Sequence, residues 1–249
     1  MVAATDSGLN VEKPLTEVER VVDTFVAPSK TFTDIKHNAS WWVPFLVIAA
    51  FWCGLAFVAD AKIGLDTEVN NELQLTPKQA DRLEKLSPED RSAQLNARVK
   101  GTRVFWRYLA PIFALVMAAV TAGLMLGTFN FGFGARLRFN QCMANYMYSS
   151  LPLIIKVSIA ILVFFLGAGE GFTFGNPVAS NLGALVPIDL HFVHFLASAV
   201  DVFTIWSLIL AGIGYSCLTG IKRSTCLTVI FVWWAVITVA ISGVTALFA

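Results

Sequence analysis

Charge is scarce in this chain. Only 14% of its 249 residues are Asp, Glu, Lys or Arg, against about 25% in an ordinary soluble domain. Most of those few lie before Ser40 or between Asp60 and Arg107. A soluble domain spreads charge over its whole surface, so long bare stretches exclude one and point to lipid as the solvent. A basic excess is missing as well. The formal net charge is +1, with no basic stripe to track a phosphate backbone, which argues against a nucleic-acid partner. Cysteine is sparse and unpatterned: Cys53, Cys142, Cys217 and Cys226 show no CxxC spacing and fall in or beside apolar segments. There they read as small hydrophobes, not as a disulfide framework or a zinc site. A cleavable leader is not expected either. Ala59-Asp60-Ala61 imitates a cleavage site, but about 40 polar residues precede an apolar stretch too long for a signal peptide, so that stretch reads as an uncleaved anchor.

What the chain does have is apolar length. Five stretches can cross a bilayer: 41–59, 108–130, 148–167, 191–215 and 227–248. The fold class expected is therefore all-α, a polytopic membrane protein with five transmembrane helices. Trp41 and Trp42 stand at the mouth of the first span, where amphipathic rings prefer the headgroup level. The charge-free interval 108–135 would be about 42 Å long if fully helical, more than a hydrocarbon core of roughly 30 Å, and is expected to break near Gly127 to Gly134.

Outside the spans, residues 1–15 have no periodicity and read as a disordered tail. In the segment 16–40, Thr16 and Glu19 have capping-box spacing, and Val18, Val21, Val22 and Phe25 follow on one helix face. Pro28 ends that helix, and Ser29 is placed to cap a second one carrying Phe32 and Ile35. An amphipathic helix lying on the membrane and a helix packed on the protein fit this pattern equally well. The polar insert 60–107 contains two helix starts, Thr76-Pro77 and Ser87-Pro88, the second followed by Glu89 and Asp90 at the positive end of the dipole. A helical hairpin whose second arm runs on into span two is the expectation.

Arg136, Arg138, Lys222 and Arg223 occupy two short loops with no acid, whereas the glycine-rich loop 168–190 carries Glu170 and Asp189 and no base. The positive-inside rule then places the N-terminus in the cytoplasm and the C-terminus outside. Arg98, Lys100, Arg103 and Arg107 run against the rule, but within a long loop of mixed charge, where it binds less strictly.

Candidate functional residues are few. His191, His194, Ser198 and Asp201 recur at spacings of three, four and three, one face of a helix. HxxH with no third histidine or following glutamate is a weak zinc signal, and about three turns separate His191 from Asp201, so hydrogen bonding between helices is the preferred reading. Asp201 in span four and Lys156 in span three are costly charges in lipid, and their depths differ by only a few ångströms, which suggests an ion pair; the alternative is that Lys156 snorkels to the cytoplasmic headgroups while Asp201 is protonated or hydrogen-bonded by its own stripe. The glycine run 167–175 has no preceding strand and no GK[ST], so it reads as a turn or re-entrant segment and not a nucleotide loop. Gly123-xxx-Gly127 and Gly212-xxx-Ser216-xxx-Gly220 are spaced for close helix approach. No catalytic set, metal site or cofactor site is legible.

The element AxPSKTFTDI (Ala27 to Ile35) followed by WWVPFL, the loop GNPVASNLG (Gly175 to Gly183) and DVFTIWSLILAGIGYS (Asp201 to Ser216) occur in an order that resembles the Yip-domain family of Ypt/Rab-interacting membrane proteins. The likeness runs over about residues 17–248 and is nearest to the bacterial relatives. It implies a five-helix membrane domain with a cytosolic N-terminus, residence in a bacterial inner membrane, and a tendency to form oligomers. The short cytosolic N-terminus and the large 60–107 insert depart from the eukaryotic pattern and weigh against a Rab-type GTPase partner. The function expected is a non-enzymatic membrane organiser or scaffold, of trafficking type, whose partners are the lipid bilayer and other copies or other membrane proteins. A small transporter or channel-like protein using Asp201 and Lys156 is the alternative.

Overall fold

The computed structural model describes residues 14–169 and 171–248. Most of the expected disordered tail, and Glu170 of the glycine-rich loop, lie outside those residues. Among the described residues, twelve α-helices run α1 Glu17–Val26, α2 Pro28–Asp34, α3 Trp42–Lys62, α4 Leu65–Gln74, α5 Pro77–Glu84, α6 Pro88–Val104, α7 Ala110–Gly127, α8 Phe139–Ser149, α9 Pro152–Phe165, α10 His191–Ala199, α11 Val202–Thr219 and α12 Arg223–Phe248. No strand forms among the described residues; two isolated bridges are the only sheet-like pairings. Five helical stretches among these residues are long and apolar enough to span a bilayer: Trp42–Lys62, Pro88–Gly132, Phe139–Phe165, Val202–Thr219 and Arg223–Ala246.

The capping box at Thr16 forms, with Glu19 N donating to Thr16 Oγ1 at 3.2 Å and Thr16 N donating to Glu19 Oε2 at 2.7 Å. Ser29 does not cap α2. Ala27 holds that position with Pro28 in the first turn, and Ser29 Oγ instead accepts from Arg223 Nη2 at 3.2 Å. The α1–α2 pair packs on the bundle: Phe32 and Ile35 are fully buried, and Phe25 meets Trp206 of α11 edge-on at 5.8 Å. Arg20 is buried between Asp34 (Nε to Oδ2, 2.6 Å) and Glu17 (Nη1 to Oε1, 3.3 Å), while Tyr148 of α8 donates to Glu17 at 2.7 Å. Val18, Val22 and Val26 nevertheless stay exposed along the opposite edge of α1. One face is thus used for packing and one is left apolar.

The insert is a three-helix unit and not a two-arm hairpin, because α4 precedes the two expected starts. Val69, Leu73 and Leu83 form its small core. Ser87 caps α6, accepting from Asp90 N at 3.2 Å. Thr76 does not cap α5; its hydroxyl donates back to Glu72 O at 3.1 Å. As expected, the last arm continues into span two, giving one helix from Pro88 to Gly132 of 45 residues. It carries two wide π-turns, Phe105–Leu109 and Thr128–Gly132. The first lies just before Pro111, whose missing N–H frees the carbonyl of Arg107. Cys53 of α3 donates its thiol to that carbonyl, with Sγ 3.6 Å away. Span two therefore extends beyond 108–130 at both ends, and Gly134, two residues past the helix, turns the chain with a φ of +67°.

Span three runs from Phe139, not Tyr148, and bends between α8 and α9 at Ser150–Leu151, just before Pro152. Span four is not one helix over 191–215. It breaks at Val200–Asp201, so α10 and α11 are separate, and α11 continues to Thr219, where Gly220 (φ +76°) ends it in the left-handed conformation. The glycine spacings also divide. Gly212 packs against Leu227 of α12, 3.1 Å from its Cα to where a Cβ would stand, whereas Gly123 and Gly127 face open space.

Candidate functional site

Lys156 projects from α9 and Asp201 stands at the start of α11; Nζ lies 3.1 Å from Oδ2. Both are buried. Nine residues separate Lys156 from the end of α9 at Phe165, about 14 Å at 1.5 Å per residue, so the pair sits inside the apolar layer. The pairing drawn from depth is present, but its geometry differs from a carboxylate within a continuous helix. Asp201 is the N-cap of α11: Oδ1 accepts from Phe203 N at 3.0 Å and Thr204 N at 3.1 Å. One carboxylate oxygen thus satisfies the orphan donors of the helix start, and the other faces the ammonium. Ser180 adds a third partner, donating its hydroxyl to Asp201 Oδ2.

The helix breaks where Asn181, in extended form ahead of a short 3-10 turn at Leu182–Leu185, pairs with Asp201 as an isolated antiparallel bridge. Leu182 N donates to Val200 O and Val202 N donates to Ser180 O, each at 3.2 Å. This is the irregular backbone that a bilayer tolerates only where protein covers it. Asn181 is buried beside it and donates from Nδ2 to Asn176 Oδ1 at 2.6 Å. The loop is anchored further back by aromatic rings. Phe174 stacks on Trp106 at 4.5 Å, Trp106 stacks on Trp52 at 5.7 Å, and Phe172 meets Phe164 edge-on at 4.8 Å. Spans two and three thus hold the loop at Phe172 and Phe174, and Trp52 of span one backs Trp106.

The four-residue stripe does not survive as one helix face. His191, His194 and Ser198 lie on α10, and Asp201 lies beyond its end. His194 Nδ1 is 3.0 Å from Val186 O. His191 Nδ1 is buried with no hydrogen-bond partner, and Ser198 Oγ fills the space where Gly183 lacks a side chain. Among the described residues no three His, Cys, Asp or Glu side chains converge. In the sequence Ser180 and Asn181 stand out only as part of the GNPVASNLG loop; small polar residues flanked by apolar ones, between two spans, are the signal that marks them.

A second ionic cluster was missed altogether. Asp60, in the last turns of α3, binds Arg103 (2.9 Å to Nε, 3.1 Å to Nη2) and Arg107. The Arg107 guanidinium also lies 4.5 Å over the ring of Phe57. Two of the four bases that ran against the positive-inside rule are thus held by an acid on the neighbouring helix. In the insert, Glu68 is buried. Its carboxyl is pushed up to about 7 by burial and by the charge of Glu72, against a long 3.5 Å bond from Phe174 N. Between α7, α8, α11 and α12 lies a mainly apolar cavity of about 200 Å³ containing Asn145 and Tyr215. It shares no lining residue with the Lys156–Asp201 cluster.

These features define an all-α polytopic membrane protein whose polar groups are gathered at helix breaks and helix ends. A family model described as the Yip1 domain matches residues 22–244. The chain therefore belongs to the Yip1-domain family. No curated protein and no solved structure shows significant similarity to it.

Proposed function

We propose that the chain is a non-enzymatic membrane organiser of the Yip type, acting through its lipid-facing and helix-facing surfaces, with its N-terminus in the cytoplasm. The observation that carries this reading is the closure of the intramembrane charges on one another. Asp201 has Lys156, Ser180 and two backbone N–H groups around it, which describes a structural pin more than a stage in a solute path. The outer surfaces support it too. Only 11% of the apolar window of the last span is buried, against 44% for Phe139–Phe165, which leaves α12 with the widest face for lipid, a second copy or another membrane protein.

One observation favours the transporter reading: a helix broken at a buried acid is the arrangement in which many carriers hold an ion. Reconstitution separates the two. Liposomes holding the protein should move protons and monovalent cations no faster than empty liposomes; flux that disappears in Asp201→Asn would replace the organiser by a carrier. Orientation is tested by single cysteines in a cysteine-free chain. Asn70 and Glu84, both exposed, should react with an impermeant maleimide outside intact cells, and Lys222 only after permeabilisation. Labelling at Lys222 in intact cells would reverse the orientation.

A further inference from the structure

At the end of the bundle where α3 and α8 begin, an open polar cavity of about 500 Å³ is lined by His37, Ser40, Trp41, Trp42, Arg138 and Asn140, among others. Three features of it point the same way. Two helices start at its wall, and helix starts present unpaired N–H groups and partial positive charge. Arg138 is exposed there and uses Nη2 for Lys36 O at 3.1 Å, which leaves other guanidinium N–H groups available. The Ser40 hydroxyl is buried with no hydrogen-bond partner. Lys36 and Arg136 flank the cavity in the chain, and the nearest acid in the sequence, Asp34, is already held by Arg20. The rings of Trp41 and Trp42 complete the setting, since indoles at a span mouth sit at headgroup depth.

We infer that this cavity binds the phosphate of an anionic phospholipid in the adjoining leaflet, with Arg138 as the cation and the helix starts as N–H donors. A phosphodiester supplies acceptor oxygens and negative charge, and a bidentate guanidinium matches both. The lipid form follows from the tryptophans: a phosphate seated between headgroup-level rings has its acyl chains beside α3. The inference stands whether or not the organiser reading holds, because it needs only the cavity and the membrane.

The test is binding to the full chain in detergent, read by native mass spectrometry, with dioctanoyl phosphatidylglycerol, dioctanoyl phosphatidylcholine and inorganic phosphate as probes. The anionic lipid should be retained at least about tenfold better than the zwitterionic one, the worth of one good charged contact. Arg138→Gln should erase that preference. Because Arg138 also holds the Lys36 carbonyl, Asn140→Asp is the cleaner variant. An acid in the first turn of α8 suits the helix dipole and keeps the fold, yet it repels an anion in the cavity. Loss of the preference in Asn140→Asp at unchanged melting temperature supports the site. Equal retention of both lipids, an unchanged preference in Asn140→Asp, or inorganic phosphate binding as tightly as the lipid would each overturn it.

Discussion

Asp201 holds Lys156 with one carboxylate oxygen, at 3.1 Å, and caps α11 with the other, at 3.0 Å and 3.1 Å from two backbone N–H groups. The two roles explain why a charge is kept in an apolar layer. A neutral cap would leave the ammonium unpaired, and an acid placed further along α11 would leave the N–H donors of the helix start unsatisfied. The bridge from Asn181 and the ion pair from Lys156 thus meet at the same residue.

The caps of the insert yield a direct contrast. Ser87→Ala should cost about 1 kcal/mol, the usual worth of an N-cap, and should speed hydrogen exchange at Glu89 to Gln94. Thr76→Ala should have little effect on α5, because the Thr76 hydroxyl bonds backwards to Glu72 O and not into the helix it precedes. No loss in Ser87→Ala would show that the proline-led starts, and not the side-chain caps, set these helices.

Close packing at Gly214 is a second target. A Cβ there would overlap Asn145 Oδ1 and come within 2.8 Å of the Phe32 ring. Asn145 is fully buried and donates to Ala211 O at 3.3 Å, so it has little room to move. Gly214→Ala should therefore destabilise by about 1–3 kcal/mol, the range for overpacking a core. Gly123→Ala, with nothing within 4 Å of its Cβ position, should be neutral within about 0.5 kcal/mol in thermal unfolding.

Glu68 should make stability fall as pH rises. Burial, then the charge of Glu72, raise its carboxyl from 4.5 to about 7. Between those values the folded state binds a proton that the unfolded state has released, so protonation favours folding. That contribution is fully present below pH 4.5 and is lost as pH rises through about 7. The difference is roughly 3 kcal/mol in scale. Glu68→Gln should match the parent near pH 4 and be the more stable of the two near pH 8. A parent more stable at pH 8 would mean that the carboxylate is satisfied as an ion.

The sequence was informative where the physics is local or set by length. Apolar runs named five spans, Thr16 and Glu19 specified their own box, and Ser87 with Asp90 specified the start of α6. The break before α11 was not legible, because the run from His191 to Tyr215 has uninterrupted helical character and the break depends on backbone bonds from Ser180 and Leu182. The stripe His191, His194, Ser198 and Asp201 was correct in spacing and wrong as one surface for that reason. Gly123 and Gly212 show the same limit. Both have small-residue spacing, but only Gly212 has Leu227 opposite it. The helix α4 could have been read from Leu65, Val69 and Leu73, which share a buried face, but its polar composition made it look like a linker.

A double-mutant cycle on Lys156→Met and Asp201→Asn decides whether the intramembrane charges act as a structural pin. Measured as unfolding free energies in micelles, each single variant should lose about 3–5 kcal/mol, because each strands a buried polar partner. The double variant should recover about 1–3 kcal/mol of the summed loss, the coupling typical of groups in contact. Strictly additive losses would show that the two charges act independently and pin nothing together.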